Sequence, residues 1–169
     1  MKTFNVLVLC TGNSARSILG EALFNLLGRG RIHAFSAGSQ PSGKVNPVAL
    51  ETLAAHGVPW PNAGRPRSKS WEEFAAPGAP EIDFIFTVCA SAAGEACPIW
   101  PGHPTTAHWG IADPAHVEPL EARRAAFEVA YGELEKRIAA FLKLPLETMS
   151  TAAIAEAARK VHADTVNGA

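Results

Sequence analysis

Near its start the chain reads Phe4-Asn5-Val6-Leu7-Val8-Leu9-Cys10-Thr11-Gly12-Asn13-Ser14-Ala15-Arg16-Ser17-Ile18-Leu19, a stretch that changes character twice. Phe4 to Leu9 is nearly continuous in apolar residues, the pattern of a strand buried on both faces. Cys10-Thr11-Gly12-Asn13 stops that run. Ile18, Leu19, Ala22, Leu23, Leu26 and Leu27 then recur at helical spacing, and Gly28 and Gly30 close the helix. A strand that leads through a short polar loop into a helix opens a parallel α/β domain. In open sheets of this kind ligands bind beyond the carboxyl ends of the strands, which is where Cys10 falls.

The pattern continues outward from this stretch. Ile32 to Ala37 reads as a second strand, turned by Gly38. Asn46 and Pro47 form an N-cap and first-turn pair for a helix Pro47–His56, closed by Gly57. Residues 59–80 are rich in Pro, Gly, Arg and Ser and read as a surface connection, with a short helix near Trp71–Ala75. Ile82 to Val88 is a third strand, ending at Cys89. Ala90–Ala96 is mostly small residues, a short helix or a loop, and Cys97–Gly102 holds two prolines and no regular element. Thr105–Trp109 is a short fourth strand and Asp113-Pro114 a turn. Leu120–Leu142 is a long helix with Phe127, Tyr131, Leu134, Ile138 and Leu142 along it. Ser150–His162 is a small Ala-rich helix, and Asp164–Ala169 is expected to fray. Residues 1–145 therefore read as one domain and 146–169 as a C-terminal helical extension.

Composition excludes several classes. A chain of 169 residues fits one ordinary domain. Fifteen Lys and Arg against sixteen Asp and Glu leave a net charge of -1, which argues against a broad nucleic-acid footprint. With 47% hydrophobic and 18% charged residues the chain has enough apolar surface to build a core. No run of about 18 apolar residues is present to span a membrane. The first apolar run is too short for a signal peptide and lacks a small-residue cleavage site, so a cytoplasmic protein is expected. Three cysteines argue against a disulfide framework and leave thiol, metal or redox chemistry open.

Cys10 and Arg16 carry the chemistry. A loop curling from a strand end into a helix turns backbone N–H groups inward, and the helix N-terminus adds its positive end. Thr11, Gly12, Asn13, Ser14, Ala15 and Ser17 thus belong to a cradle for a tetrahedral oxyanion. Arg16 can hold two anion oxygens with its planar fork. The same field is expected to favour the Cys10 thiolate, a nucleophile. The hydroxyls of Ser14 and Ser17 can reach this thiolate or cap the helix. A lone Cys at a strand end is usually a small buried hydrophobe, but strand before, helix after and Gly-Asn between favour the oxyanion loop.

Val8-Leu9-Cys10-Thr11-Gly12-Asn13-Ser14-Ala15-Arg16-Ser17 resembles the signature loop of the low-molecular-weight protein tyrosine phosphatase superfamily. Within it the chain most resembles the arsenate reductases built on that fold, through Ser36-Ala37-Gly38, Val45-Asn46-Pro47, His108-Trp109-Gly110 and Asp113-Pro114. The resemblance covers about Lys2 to Leu142 and leaves the tail outside. It implies a single three-layer domain with a four-stranded parallel sheet, order 2-1-3-4, and helices on both faces. It also implies roles: Cys10 as nucleophile, Arg16 as oxyanion binder, Asn13 as the residue fixing the loop backbone, Ser17 as the hydroxyl near the thiolate, and Asp113 as general acid. A proton donor there is chemically sensible, because expelling a bare oxide is costly. Without the resemblance, Asp113 reads as a turn residue before Pro114.

Phosphatase and reductase share a first step and differ in the second. A phosphatase lets water cleave the thiol adduct, whereas a reductase must deliver two electrons to arsenic through further thiols. Cys89 ends the third strand on the same sheet edge as Cys10, and Cys97 follows in a Gly- and Ala-rich stretch, an arrangement that suits a thiol relay. The resembling reductases carry such a pair, often spaced one residue closer. Zinc held by Cys89, Cys97, His103 and His108 is disfavoured, since the short chelating Cys pair is missing. Ala115-His116-Val117 follows Asp113-Pro114 where the phosphatases tend to carry aromatics, and Ala15 stands where they often have a second thiol. The expectation is a cytoplasmic arsenate reductase of arsenic detoxification. It would accept arsenate, phosphate or sulfate in the loop, bind no nucleic acid or membrane, and draw electrons from thioredoxin or a glutaredoxin-type reductant. The alternatives are a phosphatase for phosphotyrosine or small phosphate esters and a non-catalytic oxyanion-binding module. No tightly bound cofactor is expected. Some relatives hold potassium beside the loop; Asn13, Glu21 and Ser36 match three of its side chains. The fourth, acidic, is missing from Arg67-Ser68-Lys69-Ser70, and Lys69 can bring the positive charge itself.

Overall fold

The computed structural model describes residues 3–60, 65–88 and 104–168. Its elements are β1 (Phe4–Leu9), α1 (Arg16–Leu27), β2 (Ile32–Ala37), α2 (Pro47–Ala55), β3 (Phe84–Thr87), β4 (Thr105–His108), α3 (Leu120–Leu142) and α4 (Thr151–Gly168), with a 3-10 turn at Trp71–Phe74. The four strands form one parallel sheet in the order β2-β1-β3-β4. Two crossovers leave β1 in the middle, with Val6 opposite Ala34 on one side and Phe84 on the other. The end of β1 therefore opens between two neighbours, at the position that binds ligands in sheets of this kind.

The two faces of the sheet are built unequally. Val6 and Val8 join a large core with Ile18, Leu19 and Leu23 of α1, Leu53 of α2, Phe127 and Ile138 of α3, and Ile154 of α4. Leu7 and Leu9, pointing the other way, pack with Ile85, Ile82, Trp71 and Phe74. At the heart of the large core Phe24, Phe86, Trp109 and Phe141 stack, tilt or meet edge to face, with centroids 4.1 to 6.4 Å apart. Truncating one such ring costs about 3–5 kcal/mol.

Two element boundaries differ from expectation. The third strand is shorter than Ile82–Val88, because the Asp83 carboxylate accepts the Asn5 N–H at 2.8 Å and replaces a backbone acceptor there. The last helix does not end at His162, and Asp164 does not begin a frayed end. The helix starts after Ser150, whose Oγ accepts the Ala153 N–H, and runs through Gly168. Lys160 pairs with Asp164 one turn on, at 2.6 Å, and no proline or earlier glycine interrupts the helix. This tail is packed into the main core through Leu146, Ile154 and Ala158. The Trp109 indole N–H donates to Ala158 O at 2.9 Å. Among the described residues no helix is long and apolar enough to cross a membrane.

Candidate active site

Cys10 follows the last residue of β1 and is buried. Its N–H still pairs with Ala37 O at 3.2 Å, so the ladder holds this residue in line before the chain turns away. The loop that follows is gripped from outside. Thr11 O accepts from Gln40 N–H, Gly12 O from Ser42 N–H and the Ser68 hydroxyl, and Ser14 O from Asn46 N–H, at 2.8–3.0 Å. In a planar trans peptide the N–H points opposite to the C=O. Turning these carbonyls outward turns the N–H groups of Gly12, Asn13 and Ala15 the other way.

Asn13 sets the curl. Its φ is +46°, in the left-handed region, which costs a non-glycine residue about 1–3 kcal/mol. Three buried hydrogen bonds offset this strain, each worth about 0.5–1.5 kcal/mol. The amide donates to Ser17 Oγ at 2.8 Å and Ser36 Oγ at 3.0 Å, and accepts from Lys69 N–H at 2.9 Å. Gly38 is required by proximity: a Cβ there would lie 2.4 Å from Thr11 O and 2.8 Å from Cys10 O. The sequence showed Gly38 only as a turn. That the loop presses on it is a tertiary fact.

Cys10, Thr11, Gly12, Ser14, Ala15 and Arg16 line one wall of a cavity of about 280 Å³; Asp113, Ala115 and His116 complete it. Ala15, at the N-cap of α1, supplies no side-chain oxygen to the first turn, which leaves its donors for an anion. Arg16 is steadied by Nη1 donating to Ile111 O at 2.8 Å, and its Nη2 lies 3.6 Å from Asp113 Oδ2. Its Nε is buried with no hydrogen-bond partner. Such an orphan donor is costly unless a ligand answers it.

Asp113 makes the expected turn and also faces the loop arginine. Oδ1 accepts the Ala115 N–H at 2.9 Å and makes the turn, while Oδ2 turns toward Arg16. His116, missed as a site residue, stands at the rim, 4.0 Å from Asp113 Oδ2 and 90% exposed. Its spacing of three from Asp113 was the available signal. No Phe, Tyr or Trp is among the described lining residues. Cys89, Cys97 and His103 lie outside the described residues. The described residue before Cys89 is Val88, whose N–H donates to Leu9 O at 2.9 Å, so the residue before Cys89 is hydrogen-bonded to the residue before Cys10.

Beneath the loop lie Glu21 and Lys69, both nearly buried. Lys69 Nζ is 3.7 Å from Glu21 Oε1, 3.5 Å from Ser36 Oγ and 3.1 Å from Arg67 O. The Ser36 hydroxyl donates to Glu21. Burial pushes the Glu21 carboxyl up and the Lys69 ammonium down, each against the pull of the other. These residues do not fit a potassium ion. Asn13 offers N–H donors toward Ser36, its oxygen being taken by Lys69 N–H, and an ammonium already stands among the remaining oxygens.

A parallel sheet with this strand order, ending in a Cys-to-Arg loop with an aspartate opposite, is the arrangement of the low-molecular-weight phosphatase fold. The family model for low molecular weight phosphotyrosine protein phosphatases matches residues 5–157, and the chain belongs to that family. The match runs past Leu142, where the sequence resemblance was expected to stop, into α4. Among its members the chain is similar to proteins called arsenate reductases. It is 31% identical over 143 residues to that of Bacillus licheniformis, covering 83% of this chain and 96% of the relative. It is 33% identical over 129 residues to that of Bacillus cereus, covering 76% and 89%. Of solved structures, the arsenate reductase of Archaeoglobus fulgidus superposes with a TM-score of 0.64 at 25% identity, covering 82% of this chain and 99% of that one. A low molecular weight protein tyrosine phosphatase from T. tengcongensis superposes at 0.58 with 25% identity, covering 84% and 100%.

Proposed function

We propose that this chain reduces arsenate to arsenite by a thiol relay. The observation that carries the first step is the cavity itself, where the Cys10 loop, the orphan Arg16 Nε and the Asp113 carboxyl come together on one space. Arsenate sits in the loop with its charge met by Arg16 and the backbone donors. The Cys10 thiolate attacks arsenic, and Asp113 gives its proton to the departing oxygen, which leaves as water. The Cys89 thiolate then attacks Cys10 Sγ. The S–S bond forms, the S–As bond breaks, and its electron pair stays on arsenic, which leaves as arsenite. Cys97 attacks Cys89, closes a Cys89–Cys97 disulfide and returns Cys10 as thiolate. An external dithiol, thioredoxin or a glutaredoxin-type protein, reduces that disulfide.

The relatives named above support the reductase over the phosphatase, as do the three thiols and a cavity wall of Ala115 and His116 in place of large aromatics. Such a protein works in a reducing cytoplasm and serves arsenic detoxification. The deciding test is peptide mapping of arsenate-treated Cys97→Ser protein under non-reducing conditions. A Cys10–Cys89 disulfide is expected, with turnover blocked when NADPH oxidation is coupled through thioredoxin. Absence of that link, together with hydrolysis of phosphate esters indifferent to Cys89→Ser, would replace the reductase with the phosphatase.

A further inference from the structure

The pair beneath the loop has no part in the chemistry above, yet it touches the residue that curls the loop. We infer that the Lys69 ammonium is a built-in cation of the loop floor, occupying the place a monovalent metal ion would need and making the oxyanion site independent of potassium.

Three observations carry this. First, the ammonium lies among oxygens from three parts of the chain: Glu21 of α1, Ser36 of β2 and the carbonyl of Arg67. Oxygen sets of this kind suit a hard monovalent cation, and a lysine head is a compact point charge that can stand in for one. Second, the charges close. Glu21 is the acidic side chain within reach of Lys69 Nζ, and the Arg67 guanidinium is already paired with Glu73 at 2.6 Å. A potassium ion added beside Lys69 would bury a positive charge that nothing neutralises, which a protein interior strongly disfavours. Third, the pair is wired to the loop twice. Lys69 N–H holds Asn13 Oδ1, and the Glu21–Ser36 hydrogen bond orients the hydroxyl that receives Asn13 Nδ2. Lys69 is thus a positioning residue, acting through Asn13 on the left-handed residue that shapes the cradle. A metal ion in the same place could leave for solvent; a tethered ammonium cannot.

The inference rests on the loop being the oxyanion site, and its readouts do not involve arsenate turnover, so its failure leaves the reductase reading standing. Inorganic phosphate affinity by calorimetry and the rate of Cys10 alkylation by iodoacetate are measured in potassium, sodium or choline chloride at equal ionic strength. The wild-type protein is expected to give the same values in all three. Lys69→Ala is expected to bind phosphate several-fold more weakly and to be alkylated more slowly, with both defects relieved by potassium or methylammonium and not by choline. A wild-type protein that binds phosphate several-fold better in potassium overturns the inference. So does a folded Lys69→Ala protein that is unimpaired, or impaired without response to either small cation. Should Lys69→Ala fail to fold, Glu21→Gln/Lys69→Met removes both charges at once. That variant is expected to fold, bind phosphate weakly and ignore every cation, and a cation response in it sinks the idea.

Discussion

Two arginines of this protein are nearly buried, and they are treated in opposite ways. Arg137, in the middle of α3, has a side chain only 3% exposed, and its Nη1 and Nε are both engaged. Nη1 donates to Glu133 Oε2 at 2.7 Å and to Glu133 O at 2.8 Å, while Nε donates to His162 Nδ1 of α4 at 3.1 Å. Arg16 is 13% exposed, rests on one carbonyl and one distant carboxylate, and keeps its Nε without a partner. Leaving a buried donor unmet costs about 1–3 kcal/mol. A fold tolerates that where a ligand will meet it. Arg137 joins two helices, whereas Arg16 keeps an unmet donor at the cavity, as its proposed role with an anion requires.

The sharpest way to break this contrast is to exchange each guanidinium for something nearly its size. Arg16→Lys keeps the charge and loses the fork, so arsenate-dependent turnover should fall by about 10²–10³-fold, the usual loss for one oxyanion donor. Its urea midpoint should stay near wild type or rise, because the orphan donor is gone. Near-normal turnover in this variant would remove Arg16 from the site. Arg137→Met should do the reverse. It gives up the charge-assisted bonds to Glu133 and the link to α4, costing about 2–3 kcal/mol in urea unfolding. Single-turnover alkylation of Cys10 should change little. If Arg137→Met unfolded at the wild-type urea concentration, its network would be ornamental.

The smallest effect expected is a pH slope from the same network. Burial, then the Arg137 guanidinium, then His108 hold the His162 imidazole below its usual value. A depressed folded value means that the unfolded chain binds the proton more readily. The contribution is therefore whole above about pH 6.5 and is lost as pH falls through the lowered value. Urea midpoints at about pH 5 and about pH 7.5 measure the slope. His162→Gln should flatten that part of the slope, and Arg137→Met should flatten it in part, since burial remains the larger cause. An unchanged slope in His162→Gln would show that the histidine titrates alike in both states.

What was legible in the sequence was what local rules carry. The apolar run of Phe4–Leu9 and the helical spacing after Ser17 are properties of neighbours along the chain, and both elements stand where they were expected. The strand order followed from resemblance, and the sheet has it. Leu120–Leu142 was readable because Phe127, Tyr131, Leu134 and Ile138 recur at helical spacing, and all four are buried. The end of the last helix was not, because Asp164, Asn167 and Gly168 look like punctuation when read alone. The docking of α4 against Trp109 and Arg137 anchors the helix up to His162, and the Lys160–Asp164 pair carries it onward.

The site divides along the same line. By themselves Cys10, Arg16 and the residues between them announce an oxyanion loop, since nucleophile, N–H donors and guanidinium all lie within seven consecutive residues. Nothing along the chain relates Gly38 to Cys10, Lys69 to Asn13, or Ile111 to Arg16. These pairs stand 28, 56 and 95 residues apart, and each is a single contact made only when β1 lies between β2 and β3. The chemistry proposed for the loop was readable from the sequence alone, because its residues are neighbours along the chain. The tertiary structure decided what holds the loop in its strained curl and what charge sits beneath it, because close packing and buried charge depend on distance in space.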